Sequence, residues 1–189
     1  MTIRNRLEDA RVLSANGRQE GAFVSVLIAA AATSRKRYSR AEWDDSEAFK
    51  NFIYDEMGII TGCAKYGVVF PFQGKQVPLE DIFYHHMRCQ LVHEGGMPES
   101  IVFTQPVFSE GGVIHTMHLG EDQLGFPAGW IEHLATAVWL AVENDDLWPD
   151  DVEQRHKDLE SYGRLQRDGL YCRRPSARRK KPAKPTTPS

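Results

Sequence analysis

Arg88 and His93 are the residues whose types and spacing could do chemistry together. An arginine is permanently charged and planar, which suits a phosphate. A histidine at a helix end meets the negative end of the helix dipole, which favours its protonated form. Both lie in Asp81-Ile82-Phe83-Tyr84-His85-His86-Met87-Arg88-Cys89-Gln90-Leu91-Val92-His93-Glu94-Gly95-Gly96, a stretch that begins like a half-buried helix and ends in two glycines. On an ideal helix, five residues turn through about 500°, leaving the two side chains roughly 140° apart. One chain therefore aims both at a single phosphate only if the helix ends between them. A two-fold dimer could instead bring two such helices together as a composite site. A structural role stands beside the chemical one: Arg88 pairing with Glu94 or Glu80, His93 bonding the last helical carbonyls, and Glu94 orienting either.

The other reactive side chains carry less. His85 and His86 are adjacent, so they diverge by about 100° on a helix. His115 and His118 point to opposite faces of a strand, and no Cys or carboxylate pair has ligand spacing, so neither metal nor cofactor is expected. Cys89 reads as a small buried apolar side chain. Cys63, Cys89 and Cys172 form neither a metal knuckle nor a disulfide framework, which fits reduced thiols in a cytoplasm. Asp145, Asp146, Asp150, Asp151 and Glu153 read as solvated helix ends, with Asp150 and Asp151 suited to a helix start. Neither a P-loop nor another Gly-rich phosphate cradle is present.

With 189 residues, 41% hydrophobic and 26% charged, the chain can bury one proper core. Its longest apolar run, Val26 to Ala32, is too short to cross a bilayer, so no membrane partner is expected. Arg4, Arg6, Glu8 and Asp9 stand where a signal peptide needs an apolar stretch, which argues against secretion. The net charge of −3 hides a division. From Arg173 onward there are seven Lys or Arg and no acid, leaving 16 bases against 26 acids in the body. Arg173, Arg174, Arg178, Arg179, Lys180 and Lys181 could contact nucleic acid by counterion release, engage the acidic body, or confer solubility.

The spacing of apolar residues predicts helices over residues 3–15, 18–36, 46–57, 79–92, 128–144 and 149–167. Asn16-Gly17 is a stop signal for the first, and Asp44 with Glu47 resembles a capping box for the third. Gly58 is expected to end the third helix, and residues 59–77 read as a long ordered loop that could contain a turn of helix or strand. Ile101-Val102-Phe103 and Val113 to Leu119 predict a hairpin within about 100–120. Residues 1–170 thus form one mainly α domain with a small inserted β-hairpin. Residues 171–189, rich in Pro, Lys and Arg, predict a disordered basic tail.

Arg88-Cys89-Gln90-Leu91-Val92-His93 resembles the Arg-x4–6-His motif of the HEPN superfamily. The surrounding Tyr84-x-x-x-Arg88-Cys89-x-Leu91-Val92-His93-Glu94-Gly95 is similar to uncharacterised bacterial proteins with HEPN-like helical domains. The pair Ala10-Arg11-Val12-Leu13 through Gly17 and Gly21-Ala22 to Ala32 resembles the opening of those domains. The resemblance implies a HEPN-like helical bundle, a homodimer and, in active members, metal-independent RNA cleavage. Carried over, His93 is the acid/base and Arg88 holds the scissile phosphate, with Glu94 and Tyr84 in support. Such a base removes the ribose 2′-OH proton while the cation stabilises the charge that develops on the phosphate. The expected function is an endoribonuclease of toxin or defence type, whose partners would be RNA and a cognate antitoxin. The alternative is a non-catalytic HEPN-like module that binds RNA, a nucleotide or a protein.

Overall fold

The computed structural model describes residues 2–62, 67–109, 112–114, 116–120 and 122–167. The basic tail, Cys63, Cys172 and His115 lie outside them. The fold is mainly helical with small β elements, and it is built around one helix. That helix, α2 (Gln19–Arg37), fully buries Ala22, Val26, Leu27, Ala29 and Ala30. It packs against α1 (Ile3–Ala15), α3 (Asp45–Asp55) and α7 (Gly129–Leu140). The small side chains at 29 and 30 leave room for neighbouring helices.

Local chemistry sets the helix ends. The Thr2 hydroxyl accepts from the Asn5 N–H at 3.2 Å and caps α1. Asn16 closes it by donating from its carboxamide to the Val12 carbonyl at 2.7 Å, before Gly17 turns the chain at φ 72°. The capping box at α3 is formed: the Asp44 carboxylate accepts from the Glu47 N–H at 2.8 Å, and the Glu47 carboxylate accepts from the Asp44 N–H at 3.4 Å. Gly58 does not end this helix. The chain breaks at Glu56 and resumes as α4 (Met57–Thr61), with Gly58 buried inside it, and Gly62 at φ 75° makes the true stop. Burial of Met57, Ile59 and Ile60 outweighs the backbone cost of an interior glycine, about 1 kcal/mol.

The span expected to be a loop holds an antiparallel hairpin, β1 (Val69–Phe72) with β2 (Lys75–Pro78). Its turn residues Gln73 and Gly74 both have positive φ, 50° and 72°, as a tight hairpin turn requires. A glutamine in that position hides the signal that asparagine would have given.

The next element is continuous from residue 79 to 93, as expected, but not uniformly α. It comprises α5 (Leu79–Asp81), a π-helical stretch Ile82–Arg88 and α6 (Cys89–His93). The expected pairing of 101–103 with 113–119 is corrected. Strand β3 (Ile101–Thr104) runs parallel to β7 (Leu124–Pro127), and β6 (His118–Leu119) lies antiparallel on the other side of β7. The hairpin is made instead by β4 (Val107–Ser109) and β5 (Gly112–Ile114). All four β7 residues are buried, so the segment has no alternating pattern by which to recognise it.

Gly125 explains the tightness of that three-stranded sheet. A Cβ there would stand 2.7 Å from both His118 Cβ and Thr104 Cγ2. Gly125→Ala must push the strands apart, and we expect it to lower stability by about 1–3 kcal/mol in chemical denaturation. An unchanged midpoint would show that the sheet is looser than this.

The expected helix over 128–144 stops early. Ala141 turns out of helical geometry at ψ 121°, and a 3-10 helix Val142–Leu147 follows. Side chains bond the carbonyls around that break. Asn144 Nδ2 donates to the Val138 carbonyl at 2.9 Å, and Arg155, from α8 (Val152–Arg167), donates to those of Trp139 and Ala141.

Candidate anion-binding site

Arg88 closes the π-helical stretch and sits half-buried against aromatic faces. Its guanidinium carbon lies 5.3 Å from the ring centre of Tyr84 and 5.7 Å from that of Phe49 on α3. The Tyr84 and Phe49 rings are themselves in contact at 5.8 Å. Each such cation–ring contact contributes about 0.5–1 kcal/mol when partly exposed, and two of them hold the planar fork in a fixed orientation. Neither Glu80 nor Glu94 pairs with it, and its Nε, out of contact with solvent, has no hydrogen-bond partner among the described residues. A charged arginine is thus propped by rings and not by a carboxylate.

The flanking residues sort by face. The Tyr84 ring also meets exposed His85 edge-on at 4.9 Å. His86 turns away and packs edge-on against Phe72 at 5.0 Å. Burial, with His85 adding to it and Asp81 opposing, holds the His86 pKa below the usual imidazole value. Lys50 of α3 is matched by Asp81 at 3.1 Å.

His93 is the last residue of α6, exposed and without a hydrogen bond to the described residues. The helix between Arg88 and His93 is α-helical, so the two diverge by about 140°. The structure therefore brings Arg88 and Tyr84 together and leaves His93 apart. Glu94, just past the helix end, makes neither an ion pair with Arg88 nor a hydrogen bond with the His93 ring. With its nitrogen turned that way, the Gln90 carboxamide donates to Glu94 Oε2 at 2.7 Å, and Gly95 then turns the chain at φ 79°. Cys89 is half-buried and a free thiol. Among the described residues, no group of three His, Cys, Asp or Glu could hold a metal ion.

Sequence reasoning could see the Tyr84–Arg88 contact, because four residues bring two side chains onto one helical face. It missed Phe49, which arrives from a different helix. It also missed two centres of buried charge. At the end of α2, Arg37 meets Glu56 at 2.7 Å, Glu143 at 2.8 Å and Asp55 at 3.8 Å, with its guanidinium 4.8 Å from the Phe52 ring centre. Tyr38 donates its hydroxyl to Asp55. Burial works against the Arg37 charge, but the Glu56 and Glu143 carboxylates outweigh it and raise the pKa above the ordinary arginine value. On α8, Arg155 is fully buried between Trp139 and Trp148 and meets Asp145 at 2.8 Å. Arg37 stands in a run of three cations at a helix end, a common place for exposed charge, and nothing local marks it or Arg155 as internal.

A family model described as Rv1289 matches residues 2–159. The chain belongs to the Rv1289 family. The match takes in Arg37, Arg88, His93 and the start of α8 through Arg155. No curated protein and no solved structure matches the chain. Among the described residues of this Rv1289-family protein, no helix is long and apolar enough to cross a membrane.

Proposed function

We propose that this Rv1289-family protein is a HEPN-like module that binds RNA, with Arg88 as its phosphate contact. The observation that supports this reading is the state of Arg88. Two aromatic rings orient its guanidinium, and no described carboxylate neutralises it. An arginine kept for structure usually satisfies its fork with carbonyls or carboxylates, as Arg155 does here. One aimed from a ring platform suits an incoming phosphate, and the neighbouring Tyr84 and His85 rings offer faces for an unpaired base. The tail cations Arg173, Arg174, Arg178, Arg179, Lys180 and Lys181 would add sequence-independent attraction. The working compartment on this reading is the cytoplasm.

A second reading is supported by His93, whose imidazole is exposed and free of described hydrogen bonds. If two copies pair so that Arg88 of one meets His93 of the other, the composite could cleave RNA without metal. An antitoxin-like protein would be the natural restraint on such a toxin.

One experiment separates the two. The protein, Arg88→Ala and His93→Ala are mixed with fluorescent single-stranded RNA in EDTA, and both anisotropy and cleavage are followed. Binding predicts at least about a tenfold weaker affinity for Arg88→Ala, the loss of roughly 1.4 kcal/mol or more. His93→Ala is expected to bind normally. Cleavage leaving 2′,3′-cyclic phosphate ends, abolished by His93→Ala, would establish the second reading. Equal binding by all three would sink the first.

A further inference from the structure

An open groove of about 820 Å³ runs between α1 and α7 over the flank of α2. Its floor is apolar, built from Leu7, Ala10, Val26, Ile131, Ala135 and Trp139. None of the Arg88-site residues Phe49, Tyr84, Arg88 and His93 belongs to it, so its occupant is a separate question from RNA binding.

The walls say what the occupant is. Along α1 the other charges are matched within the helix, Arg4 with Glu8 at 3.1 Å and Arg6 with Asp9 at 4.0 Å. Among the described residues Arg11 is not, and neither is Glu132 on the facing wall; both are exposed, and they do not reach each other. One wall thus presents an unmatched cation and the other an unmatched anion, with apolar surface between. Beside Arg11, Val12 is 62% exposed, and Ala10 is the one α1 residue that is buried.

We infer that the groove is a dimer interface, in which α1 of a second copy of this chain lies between α1 and α7. Two-fold symmetry makes the charges self-complementary: Arg11 of each copy faces Glu132 of the other, and both pairs form at once. The exposed Val12 ridge has a groove to enter, in the manner of ridges-into-grooves helix packing. The basic tail is a poorer occupant, because the groove rim balances Arg4 and Arg11 against Glu8 and Glu132 and offers no net negative charge. Dimerisation here leaves the Arg88 surface open on both copies.

Sedimentation velocity of the full chain and of Arg11→Glu and Glu132→Arg, without RNA, tests this. Both positions are exposed, so neither variant should disturb folding, and circular dichroism checks it. The parent is expected to be a dimer that weakens with salt, and each single variant to raise the dimer dissociation constant at least about tenfold by setting like charges together. Mixing the two single variants gives the decisive result. In a heterodimer the two substituted positions face each other with their charges exchanged, and the unaltered Arg11 and Glu132 form the other pair. Association should therefore return. A monomeric parent, single variants that dimerise normally, or a mixture that stays monomeric would each overturn the inference.

Discussion

Arg37→Ala is expected to lower the free energy of unfolding by about 3–5 kcal/mol, a large part of the stability of an ordinary domain. The guanidinium is 11% exposed and joins three carboxylates from two parts of the chain. Asp55 and Glu56 come from the α3–α4 junction, and Glu143 from the 3-10 helix that follows α7. Removing the cation takes from Glu56, whose side chain is 1% exposed, its contact at 2.7 Å in a medium that solvates charge poorly. The Phe52 contact disappears as well. Arg37→Lys should recover only part of the loss, because an ammonium cannot present a planar fork to Glu56 and Glu143 together. Urea denaturation followed by far-ultraviolet circular dichroism measures the change. A loss under about 1 kcal/mol would mean that the cluster is not what ties α2 to both segments.

Arg155→Ala is expected to cost about 3 kcal/mol or more, by a different route. Its side chain is fully buried, and its donors satisfy the Trp139 carbonyl at 2.7 Å and the Ala141 carbonyl at 2.8 Å. Truncation takes its side-chain donor from each of these carbonyls, although Ala141 keeps the Asn144 N–H at 2.9 Å. It also opens a void between Trp139 and Trp148 and leaves Asp145 its contact with His156 at 2.9 Å. Because this side chain ties α8 to the end of α7, local opening should show first. Hydrogen exchange is expected to quicken in 142–160 before the α2 amides change. Uniform protection in that segment, with an unchanged denaturation midpoint, would contradict this role.

These two centres also mark where sequence stops being informative. Elements whose cause is local were readable: the Asn16-Gly17 stop, the Asp44–Glu47 capping box, and the apolar alanine-rich α2. The same holds for the continuous segment over residues 79–93, since its buried Phe83, Met87 and Leu91 repeat every four residues. What failed depends on distant partners. Gly58 reads as a stop because nothing in its neighbourhood reveals how deeply α4 is buried. The end of α7 is set by Arg155, fourteen residues beyond Ala141, and a parallel β3–β7 pair has no short turn to announce it. At the candidate site, Tyr84 beside Arg88 follows from helical spacing, and so does the divergence of His93. Phe49 does not, and Phe49 is half of the platform on which Arg88 rests.

That platform also sharpens the comparison with the HEPN motif. A match on Arg88 and His93 alone invites a catalytic pair, whereas the folded chain keeps Arg88 on its rings and His93 at the helix end. Phosphate binding needs only the first of these. Cleavage needs a second copy, and a dimer formed through the α1–α7 groove does not use that face.

The most direct test of the central claim is the salt dependence of RNA affinity. The logarithm of the association constant is plotted against the logarithm of salt concentration for the full chain and for Arg88→Ala. If Arg88 contacts a phosphate, the variant binds more weakly at every salt concentration, and its slope is shallower by about 0.7, one phosphate of a single strand. Superimposable lines for parent and variant would contradict it.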